Sequence, residues 1–147
     1  MISISVADGA GLQNYDAVLE HIYNTHRATN TVKESWLNAI RKREAEYPTG
    51  IELEGYSIAI PHCDSEHANQ PAIYIIRLPD AIPVNRADED GILWVRLVVN
   101  LIVTDPADQL RLLKSLFNHL QNEEFYQNLL TLPVDDAKAL FVSKIIQ

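Results

Sequence analysis

The feature that most constrains the fold is the almost continuous apolar run at residues 92–103. A strand with one wet face alternates apolar and polar residues, whereas a strand buried on both faces is apolar nearly throughout. Such a strand needs a layer of structure on each side of its sheet. The run therefore predicts a strand in the interior of a sheet that is covered on both faces.

Shorter patterns predict the remaining elements. Asn14 and Asp105-Pro106 have the residue types of helix N-termini, and Thr31 with Glu34 has the spacing of a capping box. Further helices are predicted at about 123–132 and 135–146. Other strands are predicted at residues 2–6, at 58–60 and at 72–78, the last closed by Pro79 and followed by a surface loop to residue 91.

Two helical faces can be assigned from spacing. His21 and His26 fall off the apolar stripe of the first helix and are predicted to lie on the surface. The helix after Asp105 shows an apolar stripe made by Leu110, Leu113, Leu116, Phe117 and Leu120. Helices interleaved with apolar strands indicate an α/β protein: a mixed, mostly parallel sheet sandwiched between α-helices. The length of 147 residues predicts one domain over residues 1–147.

Composition excludes several classes of function. A net charge of −8 argues against a nucleic-acid partner. No apolar run reaches membrane-spanning length and the start of the chain lacks a leader pattern, so a cytoplasmic location without membrane insertion is expected. Cys63 is the single cysteine, which excludes an internal disulfide and fits a reducing compartment. No cofactor is expected.

The segment around His62 carries the candidate chemistry. Pro61 lacks an N–H group and ends the strand at residues 58–60, which delivers His62 at the strand's carboxyl end. This edge of an α/β sheet is where ligands bind. If this strand and the long apolar strand are parallel neighbours, the helix N-terminus at Pro106 lies at the same edge. Free N–H groups would then face the imidazole and form an anion site.

Three interpretations of His62 follow from the residues alone. It is a structural histidine, a metal ligand, or a nucleophile. Metal-binding residue types crowd around it, but neighbouring ligands on an extended backbone point apart and no second cluster completes a shell. No metal is therefore expected.

Three segments together resemble a known family: residues 48–51, Ser57-Ile-Ala-Ile-Pro-His62 and residues 109–113. They are similar to the IIA domain of the bacterial phosphoenolpyruvate-dependent sugar phosphotransferase system, of the mannitol/fructose type. Residues 43–50 and 60–63 most resemble the galactitol-specific branch. The resemblance covers nearly the whole chain and implies the same α/β sandwich.

The resemblance also implies a function. His62 would accept a phosphoryl group from the histidine phosphocarrier HPr and pass it to a cysteine of the IIB component, which serves the membrane component IIC. Arg43 is implied as a functional arginine, and its guanidinium can hold phosphate oxygens with two donors. Cys63 does not correspond to the phosphocysteine of IIB, which belongs to a different domain, and a free-standing component is expected.

The chain departs from the mannitol/fructose pattern at one position. Where that type has a second histidine, at the start of the helix after the long strand, this sequence has Gln109, which can donate a hydrogen bond but carries no charge. His67 either supplies the missing function or is a loop residue. Two classes of function stay open: a sugar-transport phosphocarrier, and a regulatory IIA-like domain that controls partners through the same histidine.

Overall fold

Five strands and five α-helices form the part of the chain that the computed structural model describes, residues 2–146. None of these helices has both the length and the apolar character needed to cross a bilayer. The strands are β1 Ser3–Asp8, β2 Gly50–Leu53, β3 Tyr56–Ala59, β4 Ala72–Asn85 and β5 Ile92–Ile102. The helices are α1 Tyr15–Ala28, α2 Trp36–Glu46, α3 Pro106–Leu120, α4 Glu123–Thr131 and α5 Val134–Phe141, which continues as a π-helical turn, Val142–Ile146.

The strands form one sheet in the order β1-β4-β5-β3-β2, so β5 is the central strand. β1 runs parallel to β4 and β3 runs parallel to β5, whereas β4 pairs with β5 and β2 with β3 in antiparallel fashion. The predicted α/β class and mixed sheet are confirmed, but parallel pairs are half of these pairs rather than most. Both antiparallel pairs arise because a short connection without a helix joins their strands. The β2–β3 turn contains Gly55 at φ +90°, a conformation that favours glycine.

Helices cover both faces of β5, as the apolar run predicts. Val99 and Leu101 face a core that is shared with α3, α4 and α5. Val98 and Ile102 face a second core that is shared with α1 and α2. All four side chains are buried, and each contributes about 1.5–3 kcal/mol through removal from water.

Two of the three predicted helix starts are confirmed. The Asn14 side chain accepts a hydrogen bond from the Ala17 N–H, and Asp105 caps α3 with Pro106 at its first position. The capping box at Thr31 is wrong, because α2 begins five residues later, at Trp36. The backbone around Val32 instead pairs with Ala68 in an isolated bridge, which ties the α1–α2 connection to the segment after His62.

Two details of the apolar pattern are corrected. Pro79 does not close its strand, and β4 continues to Asn85. Pro79 lies in the irregular stretch between Arg77 and Ile82, where the pairing with β5 shifts register. A proline without an N–H is tolerated where no ladder hydrogen bond is needed. Leu110 was predicted on the inner face of α3, but 56% of it is exposed. The fully buried positions of α3 are Leu112, Leu116 and Leu120, the first of them two residues after Leu110.

Candidate phosphoryl-transfer site at His62

His62 lies just past the carboxyl end of β3, as predicted. Ile60 still donates its N–H to the Thr49 carbonyl, and the Pro61 carbonyl accepts from the Leu101 N–H at 3.2 Å. Pro61 has no N–H to offer, so the ladder stops there. Because β3 and β5 are parallel neighbours, α3 begins at the same edge of the sheet as His62.

One hydrogen bond fixes the orientation and tautomer of the His62 ring. Its Nδ1 lies 2.7 Å from the Ile60 carbonyl oxygen. A carbonyl can only accept, so Nδ1 carries the hydrogen and Nε2 keeps its lone pair in the neutral ring. Burial lowers the pKa of His62, and the positive charge of Arg43 lowers it further. The ring is therefore neutral near pH 7, with Nε2 available as a nucleophile.

Arg43 lies in the last turn of α2 beside a cavity of about 390 Å³. His67 and Cys63 line the same cavity. The guanidinium carbon of Arg43 is 5.5 Å from the ring centre of Tyr47, close enough for a cation–π contact. Its Nε is buried and has no hydrogen-bond partner among the described residues. A buried N–H without a partner is costly, and the guanidinium of an arginine that lines a cavity can hold an anion there.

His67 belongs to a short 3₁₀ turn, Ser65–His67. Its Nδ1 lies 2.8 Å from the Ser35 hydroxyl, just before α2, and its Nε2 lies 3.7 Å from a Glu66 carboxylate oxygen. The Lys33 N–H also donates to its backbone carbonyl. The structure therefore brings His67 to the Arg43 cavity, but both ring nitrogens already have protein neighbours.

Gln109 lies in the first turn of α3, and its Nε2 donates to the Cys63 carbonyl oxygen at 3.2 Å. The expected free N–H groups of this helix start are not available. The Ala107 N–H is taken by the Asp105 side chain, and the N–H groups of Asp108 and Gln109 by the Asp105 carbonyl. The edge position of α3 was predicted correctly, but its anion site was not, because the capping residue occupies these donors.

Cys63 is not a second nucleophile in this arrangement. Burial, helped by the nearby Asp64 carboxylate, raises the pKa of its thiol to about 12. A thiol with this pKa remains protonated near neutral pH, and the thiolate is the reactive form. His62 is therefore the candidate nucleophile of this segment.

Sequence reasoning missed a buried polar pair behind the histidine. His26, predicted on the surface, is only 6% exposed, and its Nε2 lies 2.8 Å from Oδ1 of the fully buried Asn100. The prediction failed because α1 turns this position toward the sheet, where Asn100 supplies a polar partner. The available signal was Asn100 itself, an uncharged polar residue inside the apolar run of β5.

Solved structures define the class of protein to which this fold belongs. The NMR structure of the complex of enzyme IIA mannitol and phosphorylated enzyme IIB mannitol from Escherichia coli matches with a TM-score of 0.75 at 19% identity, over 95% of this chain and 94% of that chain. The crystal structure of IIA mannitol from Escherichia coli matches with 0.73 at 21% identity, over 92% and 94%. Nitrogen regulatory protein IIA-Ntr from Neisseria meningitidis matches with 0.72 at 18% identity, over 93% and 91%. The fold is that of the IIA proteins.

Sequence comparison identifies the family. The model for the phosphoenolpyruvate-dependent sugar phosphotransferase system, EIIA 2, matches residues 5–142, and the chain belongs to this family of phosphotransferase components. The galactitol-specific EIIA component of Escherichia coli strain K12 is 40% identical over 146 residues, 99% of this chain and 97% of that protein. Multiphosphoryl transfer protein 2 of the same strain is 35% identical over 98 residues, 66% of this chain and 11% of that protein. The family resemblance predicted from the sequence is confirmed.

Proposed function

We propose that this chain, as one EIIA domain over residues 1–147, is the phosphocarrier of a galactitol-type sugar phosphotransferase system. His62 accepts a phosphoryl group from the histidine phosphocarrier HPr and passes it to a cysteine of a IIB component, which serves a membrane IIC component from the cytoplasm. Identity of 40% to galactitol-specific EIIA proteins supports the sugar class. The observation that carries the chemistry is the His62 Nδ1–H bond to Ile60, which leaves the Nε2 lone pair free.

The two transfer steps balance at Nε2. In the first step its lone pair attacks phosphorus, the N–P bond of the donor breaks, and that electron pair stays on the donor's nitrogen. In the second step the IIB thiolate attacks phosphorus and the electron pair of the N–P bond returns to Nε2. Nδ1 keeps its hydrogen, so the phosphorylated ring is cationic and Nε2 is a good leaving group. The Ile60 carbonyl stabilises this charge.

Arg43 is proposed to stabilise the transferred group. Phosphoryl transfer depends mainly on positioning and on neutralising the charge of the equatorial oxygens. Arg43 offers a positive charge beside His62 and a buried Nε without a described partner. His67 and Gln109 are proposed as secondary contacts at the rim of the same site, because one lines the Arg43 cavity and the other bonds the residue after His62.

Label transfer tests the function. The protein is incubated with labelled phosphoenolpyruvate, enzyme I and HPr, and the label is mapped. We expect a single acid-labile, base-stable phosphohistidine at His62, which is lost in His62→Gln and retained in the control His119→Gln, at the far end of α3. Label that persists in a folded His62→Gln protein would refute the proposal.

The same assay tests the expectation that no metal takes part. Phosphorylated HPr is purified first, so that the single transfer step is free of the metal requirements of enzyme I. We expect transfer to His62 to proceed at an unchanged rate after exhaustive chelation. Loss of transfer on chelation, restored by added zinc, would contradict this expectation.

The regulatory alternative differs in its consequences outside the site. A transport role predicts adjacent genes for IIB and IIC components and transfer from His62 to the IIB cysteine. A regulatory role predicts phosphorylation of His62 without onward transfer to any IIB. Identity of 40% to galactitol-specific EIIA proteins, over 99% of this chain, supports transport. Measurement of onward transfer to the IIB encoded beside this gene decides between the two.

A further inference from the structure

A hydrogen-bonded chain runs from α1 through the core to the His62 peptide. Asn100 on β5 is fully buried and donates from Nδ2 to the Pro61 carbonyl oxygen at 3.2 Å. Its Oδ1 lies 2.8 Å from Nε2 of the buried His26. Polar groups cost free energy in an apolar core unless they are paired, and each of these is paired with the next.

The Pro61 carbonyl oxygen fixes the orientation of the other groups in this hydrogen-bonded series. The Pro61 carbonyl can only accept, so the Asn100 amide must present its NH₂ group to it. The amide oxygen then faces His26, whose Nε2 must carry a hydrogen. A flipped amide would place oxygen against oxygen at Pro61. The Pro61 carbonyl therefore sets which way the Asn100 amide points, and the Nε2–H of His26 holds the amide in that orientation. Asn100 in turn bonds the peptide that leads into His62.

We propose that Asn100, oriented by His26, is a positioning residue that holds the Pro61–His62 peptide so that Nε2 of His62 is aimed at the incoming phosphorus. Ile60 fixes the ring, and Asn100 shares the Pro61 carbonyl with the Leu101 N–H, so that the two donors together hold the backbone from which the ring extends. The inference rests on the proposed function, in which His62 is the nucleophile. Neither residue touches the transferred group.

Replacement of Asn100 should impair the alignment of His62 with the phosphorus atom rather than the docking of the donor protein. The reacting atoms must approach along a defined line, and a displacement of about 1 Å lowers rates by about a hundredfold. Asn100 is buried, so its replacement leaves the surface that meets the donor unchanged. Loss of the Pro61 bond should therefore lower kcat for acceptance from phosphorylated HPr while KM for that donor stays constant.

Four variants separate positioning from simple stability. Asn100→Leu removes both bonds, and Asn100→Asp keeps an acceptor for His26 but cannot donate to Pro61. His26→Phe removes the donor that orients Asn100, whereas His26→Gln retains an N–H donor and should rescue. His21→Phe is the matched control, because His21 is on the same helix but bonds the Tyr74 hydroxyl instead. Denaturant unfolding of each variant measures stability separately.

Two readouts test the proposal. In the wild type, nitrogen-15 NMR should show the His62 ring as the Nδ1–H tautomer. In Asn100→Leu, Asn100→Asp and His26→Phe we expect a mixture of tautomers and kcat lowered by about tenfold or more, with His26→Gln close to wild type. If His26→Phe, His26→Gln and the control His21→Phe have equal kcat and all retain the single tautomer, the proposal is overturned. This holds even where an Asn100 variant fails to fold. The His62 tautomer can be measured on this protein alone, without HPr. A failure of the proposed function is therefore seen separately, as absent labelling of His62.

Discussion

The side-chain amide of Gln109 donates to the carbonyl oxygen of Cys63 at 3.2 Å, which joins the first turn of α3 to the residue that follows His62. Gln109 is the residue that we predict to stand where the mannitol/fructose pattern has its second histidine. In this chain the side chain uses one of its two N–H groups to hold the histidine loop. Its second N–H remains as a neutral donor near the site.

Replacement of Gln109 by alanine should therefore have a modest effect. One neutral hydrogen bond contributes about 0.5–1.5 kcal/mol, so we expect transfer to slow by about tenfold at most. Gln121→Ala, at the exposed end of the same helix, is the matched control. Rates of acceptance and of donation to IIB are measured separately. A loss of a hundredfold or more would show that Gln109 performs the charged role of the missing histidine.

Replacement of Arg43 should have a larger effect. A charge-assisted hydrogen bond is worth about 1.5–3 kcal/mol, which corresponds to about ten- to a hundredfold in rate if it acts in the transition state. We expect Arg43→Ala to slow both transfers by this factor while His62 still becomes labelled at long times. Arg43→Lys keeps the charge without the planar pair of donors and should recover part of the rate.

Arg41→Ala controls for loss of an arginine from α2. Arg41 points to α1, where it bonds Asp16 at 2.9 Å and Glu20 at 3.3 Å. We expect its transfer rates to match the wild type. If the Arg41 and Arg43 variants transfer at the same rate, the phosphate-binding role of Arg43 is excluded.

The contacts of His67 predict a smaller contribution than that of Arg43. Its Nδ1 is held by Ser35, and its Nε2 lies 3.7 Å from a Glu66 oxygen, too far for a hydrogen bond, so at most one ring nitrogen can contact the transferred group. We expect His67→Ala and Ser35→Ala to slow transfer by less than about tenfold, the loss of one ordinary hydrogen bond. A His67→Ala rate as low as that of Arg43→Ala, beside an unaffected Ser35→Ala, would instead assign His67 the role of the missing histidine.

The pH profile of acceptance should follow the His62 ring. Burial holds the pKa of His62 below its ordinary value of 6.5, and the charge of Arg43 adds to this effect. The neutral ring is the nucleophile, so acceptance should continue below pH 6.5 and fall as the ring is protonated at lower pH. In Arg43→Ala the pKa of His62 should rise, which moves the profile toward higher pH. NMR titration of the His62 ring checks this, and an unchanged pKa in the variant would contradict it.

The features that sequence predicted correctly depend on local chemistry. Pro61 must end a ladder, Asp105 followed by Pro106 must begin a helix, and an apolar run must be covered on both sides. These requirements hold whatever the rest of the chain does. On the condition that β3 and β5 are parallel neighbours, which the structure bears out, they place His62 and the start of α3 at one edge of the sheet.

The features that it missed depend on distant partners. His26 was expected at the surface because nothing near it in the sequence indicates its hydrogen bond to Asn100, which lies 74 residues away. The anion site at α3 failed because Asp105 satisfies the amides that it was expected to leave open. β4 continues past Pro79 because β4 carries extra residues between Arg77 and Ile82, where its pairing with β5 shifts register. Each outcome is decided by tertiary contacts that residue spacing does not contain.

The residue beside Arg43 gives the last prediction. Glu44 is 7% exposed, and its carboxylate accepts from the Thr49 hydroxyl, at 3.0 Å to Oε2, and from the Tyr15 hydroxyl at 3.4 Å. Burial outweighs these bonds and raises the pKa of Glu44 above its ordinary value of 4.5. The folded protein therefore holds this proton more tightly than the unfolded chain.

The sign of the pH dependence follows from this difference. Between pH 4.5 and the raised pKa of Glu44, the folded state binds more protons, so its contribution to the free energy of unfolding falls as pH rises. The contribution is complete below pH 4.5 and is lost as pH passes the folded-state pKa. Every tenfold difference in proton affinity is worth about 1.4 kcal/mol.

Glu44→Gln removes the ionisation but keeps an oxygen that accepts from Thr49 and Tyr15. We expect its stability relative to the wild type to increase as pH rises above 4.5 and to level off once pH passes the folded-state pKa of Glu44, as measured by thermal unfolding at each pH. Glu46→Gln, an exposed carboxylate two residues further along α2, is the control and should show no such trend. A constant difference between Glu44→Gln and the wild type across this range would mean that Glu44 is ionised in the folded protein as readily as in the unfolded chain.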